Sequence, residues 1–435
     1  MQRSPTIPEF QMKHVRILRI AILAAAIPAA VLAGLYAWLG PAAIAPTAGP
    51  PPLSPPQVLA AGARVVALGD CMVCHSAATG PAYAGGLGLR TPFGTIYSTN
   101  ITPDPDTGIG RWSPQAFTRA MREGVSRDGH LLYPAFPYIH YRRMSDQDID
   151  LAYRYLMSRT PVRVTQPEND LPLPLKFRPM LAFWNTLYLD SGKDALPPAQ
   201  PGPGERGRYL VDTLGHCASC HSGLTLLGGE RHPPLQGGDI DGWNAPLLTR
   251  LAQGAAPWRQ EELVDYLRGG LSLAHGAAKG PMRPVTERLA QVPREDVEAM
   301  AVYLMSIQAA PASAQAAVGT VAAPAAAASS QGARLFAAAC ASCHAASAPM
   351  MQLGARPGLA RSSALLGAEA TNFVQTVLHG IPWEGSSQVY MPPFADTLSD
   401  EQVAALAAYV RAAARQPAWK DVAGKSAKLR EEAHP

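Results

Sequence analysis

The chain has 435 residues, long enough for two to four domains at roughly 100–200 residues each. Hydrophobic residues make up 47%, which excludes wholesale disorder. Charged residues are only 16%, against about 25% in ordinary domains, and 42 Pro and 38 Gly fill the gap, favouring loop-rich domains over large sheets. The net charge is +4, of which residues 1–19 carry +3 through Arg3, Lys13, Arg16 and Arg19 against Glu9. The last twenty residues carry +1, so the body between is neutral. Nothing in this balance suggests the basic patch that a nucleic-acid surface needs.

Residues 20–39, IAILAAAIPAAVLAGLYAWL, are uncharged and mostly apolar. At about 1.5 Å per residue they reach roughly 30 Å, the hydrocarbon thickness of a bilayer. Pro28 is tolerated in such a span, and Tyr36 and Trp38 sit where an interfacial aromatic belt belongs. Arg16 and Arg19 precede the stretch, so the positive-inside rule predicts a cytoplasmic tail (1–19), a transmembrane anchor (20–39) and an exported remainder. A cleaved signal peptide is the competing reading, but Pro46 directly follows the small-residue site Ala43-Ile44-Ala45 and disfavours cleavage.

All six cysteines fall in three copies of one motif: CMVCH at Cys71–His75, CASCH at Cys217–His221 and CASCH at Cys340–His344. C-x-x-C-H is the attachment signature of c-type haem. Two thiols add to the porphyrin vinyl groups, here Cys71 and Cys74, Cys217 and Cys220, and Cys340 and Cys343. The following His75, His221 or His344 is then the proximal iron ligand. A zinc site needs paired motifs closing one tetrahedron, and intervals of 146 and 123 residues suggest no such pair. Three covalent haems, with their iron, are expected. Each motif ends a short helical run opened by Gly62, Gly207 or Gly332. Each unit closes with a helix of 3.6-residue period, from Ser145, Pro293 and Ser399, with Tyr155, Tyr303 and Tyr409 as core. Ser145 and Ser399 suit N-caps followed by acidic first turns. No useful alternating pattern lies between, so three all-α units are expected at 57–190, 205–307 and 332–416. Residues 191–206 and 308–331 read as linkers, the latter long enough to give the third unit freedom.

Electron-transferring c haems usually hold iron between His and Met. Met391 lies 47 residues after His344, and Met282 lies 61 after His221. Sixty-one residues after His75 stands Phe136, which cannot ligate iron. Met144 directly precedes the N-cap Ser145, as Leu398 precedes Ser399, and reads as structural. His140 is the expected sixth ligand of the first haem, with His130 or an open site as the alternatives.

The exported body resembles the three-haem cytochrome c subunit of membrane-bound bacterial dehydrogenases. The resemblance rests on the haem motifs, on STNITPDPDTGIGRWS (Ser98–Ser113), on LYPAFPY (Leu132–Tyr138) and on GGDIDGWNAPLLT (Gly237–Thr249). It implies three tandem class I cytochrome c domains behind an anchor in the bacterial cytoplasmic membrane, with the haem domains in the periplasm. The chain itself would do no chemistry on substrate. A catalytic dehydrogenase subunit would oxidise an aldehyde, alcohol or N-heterocycle, and the haems would pass electrons to ubiquinone or a terminal oxidase. Phe136 followed by Pro-Tyr-x-His resembles the branch that partners molybdopterin enzymes with an iron–sulfur subunit rather than quinoproteins. An oxidase-associated donor and a peroxidase-like haem enzyme with an open first haem are the alternative readings.

Overall fold

The structure, a computed structural model, describes residues 40–47, 49, 53–189, 202–254, 256–309, 330–352, 358–381 and 390–433. The expected anchor at 20–39 lies outside these, as do residue 190 and, of the linker regions, 191–201 and 310–329. Among the described residues no helix is long and apolar enough to cross a membrane.

In the first unit α1 (Pro56–Leu68) leads into the four-residue α2 (Cys71–Cys74), then the hairpin β1 (Gly88–Thr91) and β2 (Gly94–Tyr97). Helices α3 (Pro114–Glu123), α4 (Tyr138–Tyr141) and α5 (Asp146–Met157) complete it, followed by α6 (Leu173–Lys176) and α7 (Leu181–Tyr188). The second unit runs α8 (Pro203–Tyr209), continued by a π turn at Leu210–Leu214, then α9 (Ala218–His221) and the hairpin β3 (Gly238–Ile240) and β4 (Trp243–Ala245). It goes on through α10 (Gln260–Gly269), the short pair β5 (Leu271–Ser272) and β6 (Gly276–Ala277), α11 (Met282–Leu289) and α12 (Arg294–Ser306). The third comprises α13 (Gln331–Ala339), α14 (Ala341–His344), α15 (Pro349–Gln352), α16 (Ser363–Leu366), α17 (Thr371–His379), α18 (Asp400–Ala413) and α19 (Val422–Ala433).

The three antiparallel hairpins depart from the all-α expectation. Their strands are two to four residues long and rich in Gly, too short to print an alternating signature. Ser145 and Ser399 do cap α5 and α18: Ser145 Oγ accepts from Asp148 N at 3.0 Å, and Ser399 forms a reciprocal capping box with Gln402. The glycines that open each unit have one physical role. A Cβ on Gly62 would collide with the Leu151 carbonyl and Tyr155 Cβ of α5. Gly207 meets Ala299 and Tyr303 of α12 in the same way, and Gly332 meets Ala405 and Tyr409 of α18. Each pair of helices therefore crosses with backbones in contact, next to the tyrosine of the closing helix.

One continuous core joins the first and second units, from Val65 and Leu156 to Leu210, Leu214 and Val297. The third has its own around Val374, Leu378, Val403 and Leu406. It docks on the second chiefly through hydrogen bonds: Asn244 N to Asn372 Oδ1 at 2.9 Å, Asn372 Nδ2 to Asn244 O at 2.7 Å, and Ser363 N to His275 O at 2.9 Å. The expected freedom of the third unit is thus met by a specific polar seat. Helix α19 extends the third unit past residue 416, since Ser426 and Arg430 both bond Asp400 and Leu429 is buried.

Candidate haem sites

In the first unit the turn at Asp70, with φ 52°, ends the run of α1 and sets Cys71 and Cys74 on a single helical turn ahead of His75. His75 Nδ1 lies 2.6 Å from the Thr99 carbonyl oxygen. A carbonyl only accepts, so Nδ1 carries the proton and Nε2 presents its lone pair. Burial lowers the His75 pKa, which keeps the ring neutral. The second unit repeats this: His221 Nδ1 donates to Pro246 O at 2.6 Å, and burial again lowers its pKa. The turns after both histidines match too. Gly85 N and Gly237 N donate to the His75 and His221 carbonyls, while Ser76 Oγ accepts from Tyr83 N and Ser222 Oγ from Leu235 N. In the third unit His344 ends α14, and Ala345 stands where the others have Ser76 and Ser222.

Thr99 and Pro246 carry no mark of function in the sequence, although both lie in the segments that carry the resemblance. A backbone carbonyl leaves no side-chain signature, so only the repeated segment could have pointed to it.

The donor sets fit covalent haem. All six cysteines are free of disulfides. Burial pushes the thiols of Cys71, Cys74 and Cys217 up to about 12 and that of Cys220 to about 11. Among the described residues no cluster of His, Cys, Asp or Glu is arranged to hold a metal ion by itself. A cavity of about 1700 Å³ runs from Cys71, Cys74 and His75, with Trp112 and Phe117 among its apolar walls, on to Trp243 of the second unit and Leu429 of the third. Cys220 lines the same cavity, so the attachment sites of the first two units adjoin.

Met282 starts α11 and packs against the shared core together with Cys217 and Val285. Met391 is placed by a two-bond bridge to Ile381, N to O at 2.9 Å and O to N at 2.8 Å. That close approach needs Gly380 at φ 66°, where a Cβ would strike the Met391 carbonyl.

His140, the expected sixth ligand, sits at the junction of the first two units. Its Nε2 lies 2.7 Å from Glu230 Oε1 and its Nδ1 3.0 Å from the Asp212 carbonyl, both in the second unit. The imidazole is committed on both sides to the junction and does not line the His75 cavity. Phe136 does line it, as do Met121, Met144 and His130. His130 Nδ1 bonds Ser126 Oγ at 2.9 Å. Met144, buried in the core, is the residue whose place before a helix cap marks it as merely structural in the sequence.

Helical C-x-x-C-H turns, each preceded by a helix that crosses a closing helix, define a c-type cytochrome that carries haem covalently. The family described as "Cytochrome c" matches residues 204–308, and that described as "Cytochrome C oxidase, cbb3-type, subunit III" matches 327–410. A nicotinate dehydrogenase subunit of Pseudomonas putida is 46% identical over 391 residues, covering 87% of this chain. This chain spans only 33% of that protein's length. The gluconate 2-dehydrogenase cytochrome c subunit of Pantoea cypripedii is 36% identical over 372 residues, 80% of this chain and 84% of that one. The fructose dehydrogenase cytochrome subunit of Gluconobacter japonicus is 33% identical over 370 residues, 78% and 76% of the two chains. The chain belongs to the family of cytochrome c subunits of dehydrogenases.

Proposed function

We propose that this chain relays electrons from a catalytic dehydrogenase subunit through three covalent haems, held in three tandem class I cytochrome c domains. Residues 20–39 anchor it in the bacterial cytoplasmic membrane, with the haem domains in the periplasm and ubiquinone or a terminal oxidase as acceptor. The observation that carries this is the repeated site: vicinal thiols and a histidine whose Nδ1 is bound by a carbonyl, at His75–Thr99 and again at His221–Pro246. Bound haem iron would cycle between ferric and ferrous and carry one electron at a time. The chain's own residues do the rest. Cys71 and Cys74, Cys217 and Cys220, and Cys340 and Cys343 would tether the rings, and His75, His221 and His344 would bind iron on one side. Met282 and Met391 would complete the second and third sites. In the first, Met144 takes the role expected of His140, because it lines the cavity and His140 is held at the junction. A thioether there would raise that potential above what imidazole gives.

The resemblance carried by Phe136 and the Pro-Tyr-x-His after it favours a molybdopterin-type partner with an iron–sulfur subunit over a quinoprotein, and the similarity to a nicotinate dehydrogenase subunit suits an N-heterocycle as its substrate. A second reading, an oxidase-associated donor, is favoured only by the description that matches residues 327–410.

Haem staining and an alkaline pyridine spectrum test the reading. Three covalent haems per chain are expected, and two or fewer would overturn it. Met144→Leu should convert one low-spin haem to high spin, whereas His140→Ala should leave all low-spin. The reverse outcome would return the ligand to His140.

A further inference from the structure

The seam between the first two units holds titratable side chains that carrying electrons does not by itself require. Asp70 and His216 occupy the same place in their units, directly before the first cysteine of the haem motif. Both stand in the left-handed backbone region, at φ 52° and 35°. Ala339 has that place in the third unit. The two turns meet, because Asp70, Cys71 and Cys74 line one cavity with His216, Cys220 and Glu230. Tyr141 reaches into the seam from α4: its ring stands edge-on to His216 with centroids 5.4 Å apart, and its hydroxyl donates to Gly69 O at 2.7 Å. Beside them lie His140 and Glu230, whose charges both act on His216.

Hydrogen bonding fixes how many protons this pair holds. His140 Nδ1 faces the Asp212 carbonyl oxygen at 3.0 Å, and a carbonyl only accepts, so Nδ1 carries a proton. Nε2 is 2.7 Å from Glu230 Oε1, a contact that needs a second proton between them, whether it rests on nitrogen or on oxygen. The pair is therefore neutral as a whole and becomes negative on losing that shared proton. Its side chains are only 10 and 14% exposed, so water screens such a charge poorly. Glu230 lines the cavity and His140 does not, which makes the carboxyl the side through which the proton exchanges. The groups around the pair are otherwise occupied. Burial first, and the His140 charge second, lower His216 to about 4 and keep it neutral. Asp212 accepts from Tyr303 OH at 2.8 Å, with Arg208 at 3.7 Å and the Arg143 charge acting on it as well. Asp70, on the Arg288 side of the seam, is the other carboxyl there.

We propose that His140 and Glu230 form a proton site tied to the electron relay: the pair releases its shared proton when an electron leaves the adjoining haem sites and takes it back when one returns. This deepens the relay reading above and rests on it. The charges balance. One electron passes to the next carrier, one proton passes from between Nε2 and Oε1 to solvent by way of Glu230, and the seam keeps its net charge. Poor screening at the seam is what makes the two events favour each other.

The test uses the full haem-loaded chain, reduced at an electrode and then oxidised by ferricyanide in weakly buffered solution with a pH indicator. Released protons are counted between about pH 5 and about pH 8, and the haem potentials are titrated over the same range. The wild type should release protons, and at least one haem equilibrium should shift by up to about tenfold per pH unit, about 59 mV for one electron. His140→Gln/Glu230→Gln removes both titratable groups and keeps polar side chains at the seam. It should cut the release at least about twofold and flatten that slope, with every haem still low-spin. Glu230→Gln alone, whose amide N–H can donate to a neutral Nε2, should do the same if the double variant does not fold. No release from the wild type, or equal release from the variants, as haem propionates would give, overturns the proposal. Loss confined to Asp70→Asn overturns it in favour of that carboxyl. One haem turning high-spin in the double variant would return His140 to the iron, overturning this proposal together with the Met144 assignment. The haem count of the wild type, read on the same samples, tests the relay reading separately.

Discussion

The first two units are welded, whereas the third is seated on hydrogen bonds. Between the first and second, apolar side chains form one core, and Asp296, only 2% exposed, receives Arg64 from one side at 2.6 Å and Arg206 from the other at 3.0 Å. Tyr209 OH donates to Asp148 Oδ2 at 2.6 Å across the same boundary. Between the second and third the contacts are amides, with Lys279 Nζ 3.2 Å from Thr376 Oγ1. Buried apolar area is non-directional and costly to separate, while hydrogen bonds fix orientation but contribute little net energy each, because they replace bonds to water. The first two units are thereby held in one fixed relation, whereas the third is seated by directional polar contacts.

The helix-crossing glycines give the largest test of that contrast. Gly207→Ala forces a methyl into the Ala299 backbone and should cost more than the ~1–3 kcal/mol typical of overpacking. Because the core is shared, both the first and the second haem should be lost from the purified chain. Gly332→Ala should lose the third alone, leaving two by pyridine spectrum. Loss of one haem in both variants would break the comparison.

Asp296→Leu should lower stability by about 2–3 kcal/mol. That is below the ~3–5 kcal/mol for stranding fully buried charges, because Arg64 is 41% exposed and can reach water. Thermal unfolding followed at the haem bands should show the first two units melting earlier, with the third unmoved. His140→Ala, which strands Glu230, should cost about 1–3 kcal/mol in the same transition without changing spin state.

The smallest effect is in pH, and its sign differs between the junctions. Asp70, buried beside Arg288 of the second unit, has its carboxyl pushed up to about 7 by burial. Its folded form holds the proton more tightly than the unfolded chain, so stability of the first pair should fall as pH rises from about 4 to about 7. Asp70→Asn, tolerated at positive φ, should flatten that slope in acid-range melts. Lys279 is lowered to about 8 by burial, so the unfolded state holds the extra proton between about 8 and 10.5. The docking of the third unit should tighten over that range as pH rises, and Lys279→Met should abolish the trend. Sedimentation of the full chain, reading its compactness against pH, checks this.

What is local in this protein is legible in its amino-acid sequence. Two cysteines and a histidine within five residues define a haem turn whatever surrounds them, a serine before two acids caps a helix, and a glycine recurring before each motif marks a crossing. Met144 and His140 show where that ends. His140 lies in α4 and Met144 follows it by four residues, and no spacing rule says which of them faces the cavity. Where the imidazole goes is decided by distant segments, because Asp212 and Glu230 lie 72 and 90 residues further along the chain and bond both its nitrogens. The welding of the first two units is of the same kind. Leu210 or Val297 reads as core from its own helix, but whether that core ends at the unit or continues into the next depends on which faces meet, and that is a property of the folded packing alone.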